Sequence, residues 1–209
     1  MNLTYIGHSC FRLEDKGYTV IFDPYEDGHV PGYTDIREKA DLVLCSHGHG
    51  DHNAADIIEK IGEGINRNPF TITEIASYHD DAQGTLRGNN VIRVLDDGEY
   101  RIAHFGDLGC ELTEEQKEQL KDLDVALIPV GGFYTIDAPT AKKVIDSISP
   151  KTVIPMHFRG EGFGYDVIAP VGDFLALCDN VVRAQGSNVE ITKEMPAGTI
   201  LLLAQNLLK

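Results

Sequence analysis

The chain has 209 residues and a formal net charge of −15, with 33 Asp and Glu against 18 Lys and Arg. Such an acid excess excludes a broad surface for nucleic acid or anionic membrane, because both require clustered Lys and Arg. Hydrophobic residues at 42% suffice for a buried core, yet no apolar run reaches the roughly 20 residues of a membrane span.

Asn2 to Ile6, Ser9 to Glu14 and Tyr18 to Asp23 predict short strands, the last two joined by an Asp15-Lys16-Gly17 turn. A loop rich in turn residues passes Asp27-Gly28 and Pro31-Gly32. Asp41 to Cys45 predicts a buried strand. Asn53 is placed to cap a helix running to Lys60, and residues 61–69 predict a connection. Phe70 to Ser77 predicts a strand, and Asn89 to Leu95 with Glu99 to Phe105 a hairpin about Asp96-Asp97-Gly98.

Thr113 and Gln116 match a capping box ahead of a polar helix continuing to Lys121. Val125 to Val130 predicts a buried strand closed by Gly131-Gly132. Asp137 caps a helix with Ala141, Val144, Ile145 and Ile148 on its inner face. Lys151 to Pro155 predicts a strand, and Asp166 to Cys178 a helix with Val167, Val171, Phe174, Leu175 and Cys178 on one stripe. Val181 to Arg183, Val189 to Thr192 and Thr199 to Leu203 predict closing strands. With no linker or repeat, one domain over 1–209 is expected, built as two sheets flanked by helices.

Cys10, Cys45, Cys110 and Cys178 contain no Cys-x-x-Cys, and Cys45 and Cys178 lie in apolar patterns that suit small core residues. Without a disulfide framework or a charged-then-apolar leader, a cytoplasmic setting is expected.

The chemistry concentrates in Ser46-His47-Gly48-His49-Gly50-Asp51-His52, on the loop after the Asp41–Cys45 strand. Neutral imidazole is the commonest zinc ligand and also suits iron and nickel. His47 and His49, two apart, project to one side of an extended backbone. Gly48 and Gly50 leave room beside an ion. Asp51 and His52 point in different directions, so one loop can feed two neighbouring metal positions. His79, Asp107 and His157 each follow a predicted strand directly, and strand ends along one sheet edge can converge on one site. The carboxylates of Asp80 and Asp81 are expected to be solvated.

The order His47-Gly48-His49-Gly50-Asp51-His52, then His79, Asp107 and His157, resembles the metallo-β-lactamase superfamily. The opening strands into Val20-Ile21-Phe22-Asp23-Pro24 resemble it too. Tyr78 to Asp81, Leu86 to Asn90, Val130-Gly131-Gly132 and Ile154 to His157 are similar to its small stand-alone bacterial hydrolases, including relatives of ascorbate-6-phosphate lactonases. The resemblance implies an α+β fold, a four-layer αββα sandwich, with a binuclear site at one edge. It implies His47, His49 and His79 on a first metal, Asp51, His52 and His157 on a second, and Asp107 bridging both. Two divalent ions are therefore expected, zinc foremost, with manganese or iron also suited to the donors. The implied reaction is hydrolysis, in which a hydroxide shared by the ions attacks a carbonyl or phosphoryl centre.

Other groups fall near these ligands. Asp51 can orient the hydroxide and pass a proton to the leaving group. His8, in Gly7-His8-Ser9, recurs near the site in the resembling family and can bond substrate or support a ligand. Asp23 can hydrogen-bond a ligand histidine, and His104 fits the core or the layer behind the ligands. His29 has no assigned role. Arg87, Tyr134 and Arg159 lie in loops beside the ligand strands, where Arg can hold an anionic group. Gly160, Gly162 and Gly164 fit either a lid or irregular loop packing. The expected partner is a small, anionic ester, lactone or phosphoester, with no nucleic acid or membrane, and a homo-oligomer is left open. The alternatives are an iron-dependent redox enzyme with the same ligands and a non-catalytic metal-binding domain.

Overall fold

Alternating burial along the first three strands sets the architecture. In β1 (Asn2–Gly7), β2 (Cys10–Asp15) and β3 (Tyr18–Phe22), Leu3, Tyr5, Phe11, Leu13, Val20 and Phe22 enter one core. Ile6, Cys10 and Ile21 enter a second core on the opposite face. Successive strand side chains point to opposite faces, so this sheet is covered on both sides. The computed structural model describes residues 1–62 and 64–208.

Past β3 the chain forms β4 (Lys39–Ala40), β5 (Leu42–Leu44) and, after a 3-10 turn at Ala55–Ile57, β6 (Glu59–Lys60). It continues through β7 (Thr71–Tyr78), β8 (Asn89–Asp96), β9 (Arg101–His104), α1 (Glu114–Gln119), β10 (Val125–Pro129), α2 (Ala138–Ile148), β11 (Thr152–Met156) and α3 (Val171–Leu175). It closes with β12 (Val181–Arg183), β13 (Asn188–Glu190) and β14 (Gly198–Leu201). One sheet has the order β13-β1-β2-β3-β5, the other β12-β14-β11-β10-β9-β8-β7, and β4 pairs with β6 alone. The two large sheets share the main core, where Phe11 and Phe22 join Ile92, Leu127 and Ile154. The apolar faces of α2 and α3 extend that core. Tyr25, Val30, Tyr33 and Ile36 cover the other face of the five-stranded sheet from an irregular stretch without an α-helix. The result is an α+β sandwich of mixed sheets. No helix among the described residues is long and apolar enough to cross a membrane.

Strand direction positions the site. β1, β3 and β5 run the same way, and so do β7, β9, β10 and β11. Their C-terminal ends meet at one edge, tied by the His157 amide donating to the His8 carbonyl at 2.9 Å.

Several expected elements differ. The helix over 53–60 is replaced by the 3-10 turn and β6. The Ala54 amide donates to the Pro24 carbonyl, and Glu59–Lys60 pairs with β4, so tertiary pairing overrides a weak eight-residue helix. The helix over 166–178 is reduced to α3 with Pro170 at its N-cap, because the residue before proline is driven out of helical geometry. Val167 is accordingly exposed rather than on an inner stripe. β5 is half-buried as the sheet's edge strand, and Cys45 and Cys178 are half-buried while Cys10 is fully buried. The Thr113 capping box and the Asp137 cap form as expected. The connection expected over 61–69 includes Glu63, which lies outside the described residues.

Candidate metal centre

Seven side chains named from the sequence converge at this edge. The ligand atoms of His47, His49 and His79 lie within 4.8 Å of one another, and so do those of His8, Asp51, His52 and His157. Asp107 stands between the groups. Its Oδ1 is 3.1 Å from His52 Nε2, and its Oδ2 is 3.3 Å from both His79 Nε2 and His157 Nε2 and 4.0 Å from His47 Nε2. His8, read from the sequence as a supporting residue, lies within ligand reach, with Nε2 3.3 Å from Asp51 Oδ2. His8, Asp23, Phe133 and His157 all have positive φ, of 56°, 42°, 58° and 52°. Each follows a strand end at this edge, and backbone strain of that kind gathers at functional sites.

A supporting layer fixes the cluster. Asp23 Oδ2 takes hydrogen bonds from His52 Nδ1 at 2.8 Å and Ser46 Oγ at 2.6 Å, while Oδ1 accepts from the Ser46 amide at 2.7 Å. His104 stacks on Phe22 and bonds the Ser9 carbonyl, which puts it behind the ligands. Asn90, overlooked in the sequence, accepts from the Asp107 amide and donates to Ser77 Oγ and the Phe105 carbonyl. Only a pattern of buried polar strand residues could have flagged it. Asp80 corrects the expectation of a solvated carboxylate: it is buried and accepts from the amides of Ala82, Gly84, Leu86 and Arg87. Asp81 is exposed as expected.

The donors fit a divalent cation. Among the described residues, His47 Nε2, His52 Nε2, His79 Nδ1, both ring nitrogens of His157 and Asp107 Oδ1 are buried without a hydrogen-bond partner. Buried polar atoms are normally satisfied, so a concentration of orphans suits a further partner such as an ion. Burial pushes the His47 imidazole down to about 3 and lowers His79, which keeps both rings neutral as ligation requires. Burial opposes charge on His52 too, but the Asp107 and Asp23 carboxylates outweigh it and raise the ring well above its usual range. The two carboxylates thus favour positive charge at this point of the cluster.

The remaining candidates divide. Arg159 Nε donates to the Ile168 carbonyl at 2.7 Å, pinning its own loop. Gly160 bonds Phe163 and Gly164 bonds Pro31 through the backbone, so the glycine-rich loop is packed down. Arg87 lies 5.8 Å over the Tyr134 ring. Tyr165, unremarked as a contact in the sequence, meets His8 edge-on at 5.5 Å.

Fold and cluster together define a two-sheet sandwich with a histidine–aspartate centre at its open edge. Residues 2–157 match the Beta-lactamase superfamily domain, and the chain belongs to that family. It is 29% identical to a UPF0173 metal-dependent hydrolase of Carboxydothermus hydrogenoformans over 208 aligned positions, covering 83% of this chain and 90% of the relative. A UPF0173 metal-dependent hydrolase of Thermoplasma acidophilum is 30% identical over 189, covering 76% and 84%. A crystal structure from Thermotoga maritima, provisionally described as a Zn-dependent hydrolase of the metallo-β-lactamase superfamily, matches with a TM-score of 0.78 and 31% identity, covering 98% of this chain and 99% of that one.

Proposed function

We propose that the protein is a metal-dependent hydrolase that holds two divalent ions at this edge and cleaves a small anionic ester, lactone or phosphoester. The observation that carries this reading is the buried Asp107 carboxylate facing Nε2 of His52, His79 and His157 at 3.1, 3.3 and 3.3 Å. A carboxylate with imidazoles on both sides is suited to bridge two cations. His47, His49 and His79 would hold one ion and Asp51, His52 and His157 the other, with Asp107 available to both groups. Zinc suits these donors, as do manganese and iron. The hydrolase names of the relatives support the same reading.

Ions bound here would supply an acidified water and a seat for charge developing on a substrate oxygen. The chain's own groups do the rest. His8 donates from Nε2 to Asp51 Oδ2, which fixes that carboxylate where it could take a proton from the attacking water and pass it to the leaving group. Arg159 donates Nε to the Ile168 carbonyl, which holds its loop in place after His157.

Metal analysis alongside a panel of esters, lactones and phosphodiesters tests this. The expected result is two ions per chain and turnover of at least one class, both lost in Asp107→Ala. Fewer than two ions per chain at saturating metal, or turnover untouched by thorough chelation, overturns it.

A further inference from the structure

Next to the loops that follow His79 and Asp107 the surface opens into a cavity of about 540 Å³, lined by Asp80, Asp81 and Arg87, by residues 109–111, and by the stretch from Phe133 into the first turn of α2. Its charges are unevenly committed. Asp80 is saturated by four backbone amides, Asp137 caps α2 through the Thr140 amide, and Glu111 lies 3.7 Å from Lys143. Arg87 faces these carboxylates, with Asp81 near by, and among the described residues its guanidinium pairs with none of them. It is held instead over the face of Tyr134, 5.8 Å from the ring centroid.

The backbone beneath Arg87 is anchored. The Arg87 amide donates to Asp80 Oδ2 at 2.7 Å, and the His79 amide donates to the Gly88 carbonyl at 3.1 Å. The root of the Arg87 side chain therefore stands in fixed register with His79, and its guanidinium reaches the Tyr134 ring. Aromatic contacts carry the wall back to the centre. Tyr134 meets Tyr165 at 5.9 Å, and Tyr165 meets His8 at 5.5 Å, both edge-on. On the outer side Phe133 packs edge-on against Tyr134 at 4.8 Å. Phe133 is 61% exposed at φ 58°, and Leu86, next to Arg87, is 69% exposed. Phe133 is thus a large aromatic residue held in the left-handed region with no burial to offset the strain, a combination that gathers at functional sites.

We propose that Arg87, laid on Tyr134, binds a carboxylate or phosphate oxyanion of the substrate, while Phe133 covers a hydrocarbon or aromatic portion attached to it. The substrate is thus an amphipathic anion, one end at the metal centre and the charged end at Arg87. This deepens the hydrolase reading and rests on it for the word substrate.

Calorimetric titration of the metal-loaded protein with 4-phenylbutyrate and its neutral isostere 4-phenylbutyramide tests the proposal. The acid should bind at least tenfold tighter than the amide. Arg87→Gln should abolish that preference with amide affinity within twofold, Arg87→Lys should restore part of it, and Phe133→Ala should weaken both ligands severalfold. Equal affinities in the wild type, no measurable binding of the acid, or a preference that survives Arg87→Gln overturns the proposal. Arg87-dependent binding in a protein that hydrolyses nothing sinks the hydrolase reading alone. Hydrolysis with Arg87-independent binding sinks the recognition site alone.

Discussion

Asp23 Oδ2 accepts the His52 Nδ1 proton at 2.8 Å, and this one bond decides which ring nitrogen faces Asp107. With Nδ1 given to Asp23, Nε2 is the nitrogen that faces the centre, where a cation would take the place of its proton. A carboxylate behind a ligand imidazole fixes tautomer and ring orientation and raises basicity. Asp23 sits at φ 42°, so its backbone is bent to present that carboxylate. Asp23→Ala should weaken ion binding by about 10- to 100-fold, the range for loss of such a partner. Competition against a chromophoric chelator measures it, and wild-type affinity in the variant would show that Asp23 does not orient His52.

Removal of the ions should loosen the fold as well as the chemistry. A ligand at 100 times its dissociation constant stabilises the native state by about 2.7 kcal/mol. For a domain of this size each kcal/mol shifts Tm by roughly 2–4 °C. Dialysis against a strong chelator should therefore lower Tm by on the order of 10 °C, and added zinc should restore it. A scan unmoved by chelation would mean that the orphaned nitrogens hold no ion in solution.

Gly109 is a second positional requirement. A Cβ there would lie 2.2 Å from the His79 carbonyl carbon and 2.3 Å from the Asp80 nitrogen. Both are backbone atoms and cannot swing aside. Gly109→Ala should cost about 2–3 kcal/mol, at the upper end for an overpacking substitution, and displace His79 from the centre. Urea unfolding and ion stoichiometry check the two parts separately. A variant with normal stability and full ion content would show that the 109 loop shifts freely.

The convergence of the histidine–aspartate cluster was legible because its chemistry is written in residue type and local order. His47 to His52 is a run no core requires, and His79, Asp107 and His157 stand where readable strands end. The layer behind was not legible. Asn90 and Asp80 acquire their roles through partners such as Asp107 and Arg87, which only the fold brings near. Local periodicity also misled at 53–60, where pairing with Lys39–Ala40 outweighed a helical pattern. It misled again at 166–170, where Pro170 was an available warning. Elements with strong local chemistry, such as the Thr113–Gln116 box, formed where expected.

Lys16 and Asp97 join the two sheets at the end away from the metal centre. The Lys16 ammonium donates to Asp97 Oδ2 at 2.8 Å, bridging the β2–β3 turn to the β8–β9 turn. Burial disfavours the Asp97 charge, but the Lys16 ammonium and the Tyr100 and Glu99 amides outweigh it and bring the carboxyl down to about 2. A carboxyl depressed on folding contributes stability above its unfolded value, near 3.8, and that contribution is lost as pH falls through the folded value. Solvent at the exposed Lys16 screens the pair, so the contribution is on the order of 1 kcal/mol rather than the full value of the shift. Asp97→Asn should therefore unfold about 1 kcal/mol more easily than wild type at pH 6. The gap should close between about pH 4 and pH 2, as the wild-type carboxyl takes up its proton. Urea titrations of both chains across that range measure it, and a gap independent of pH would show that Asp97 acts through its turn geometry rather than its charge.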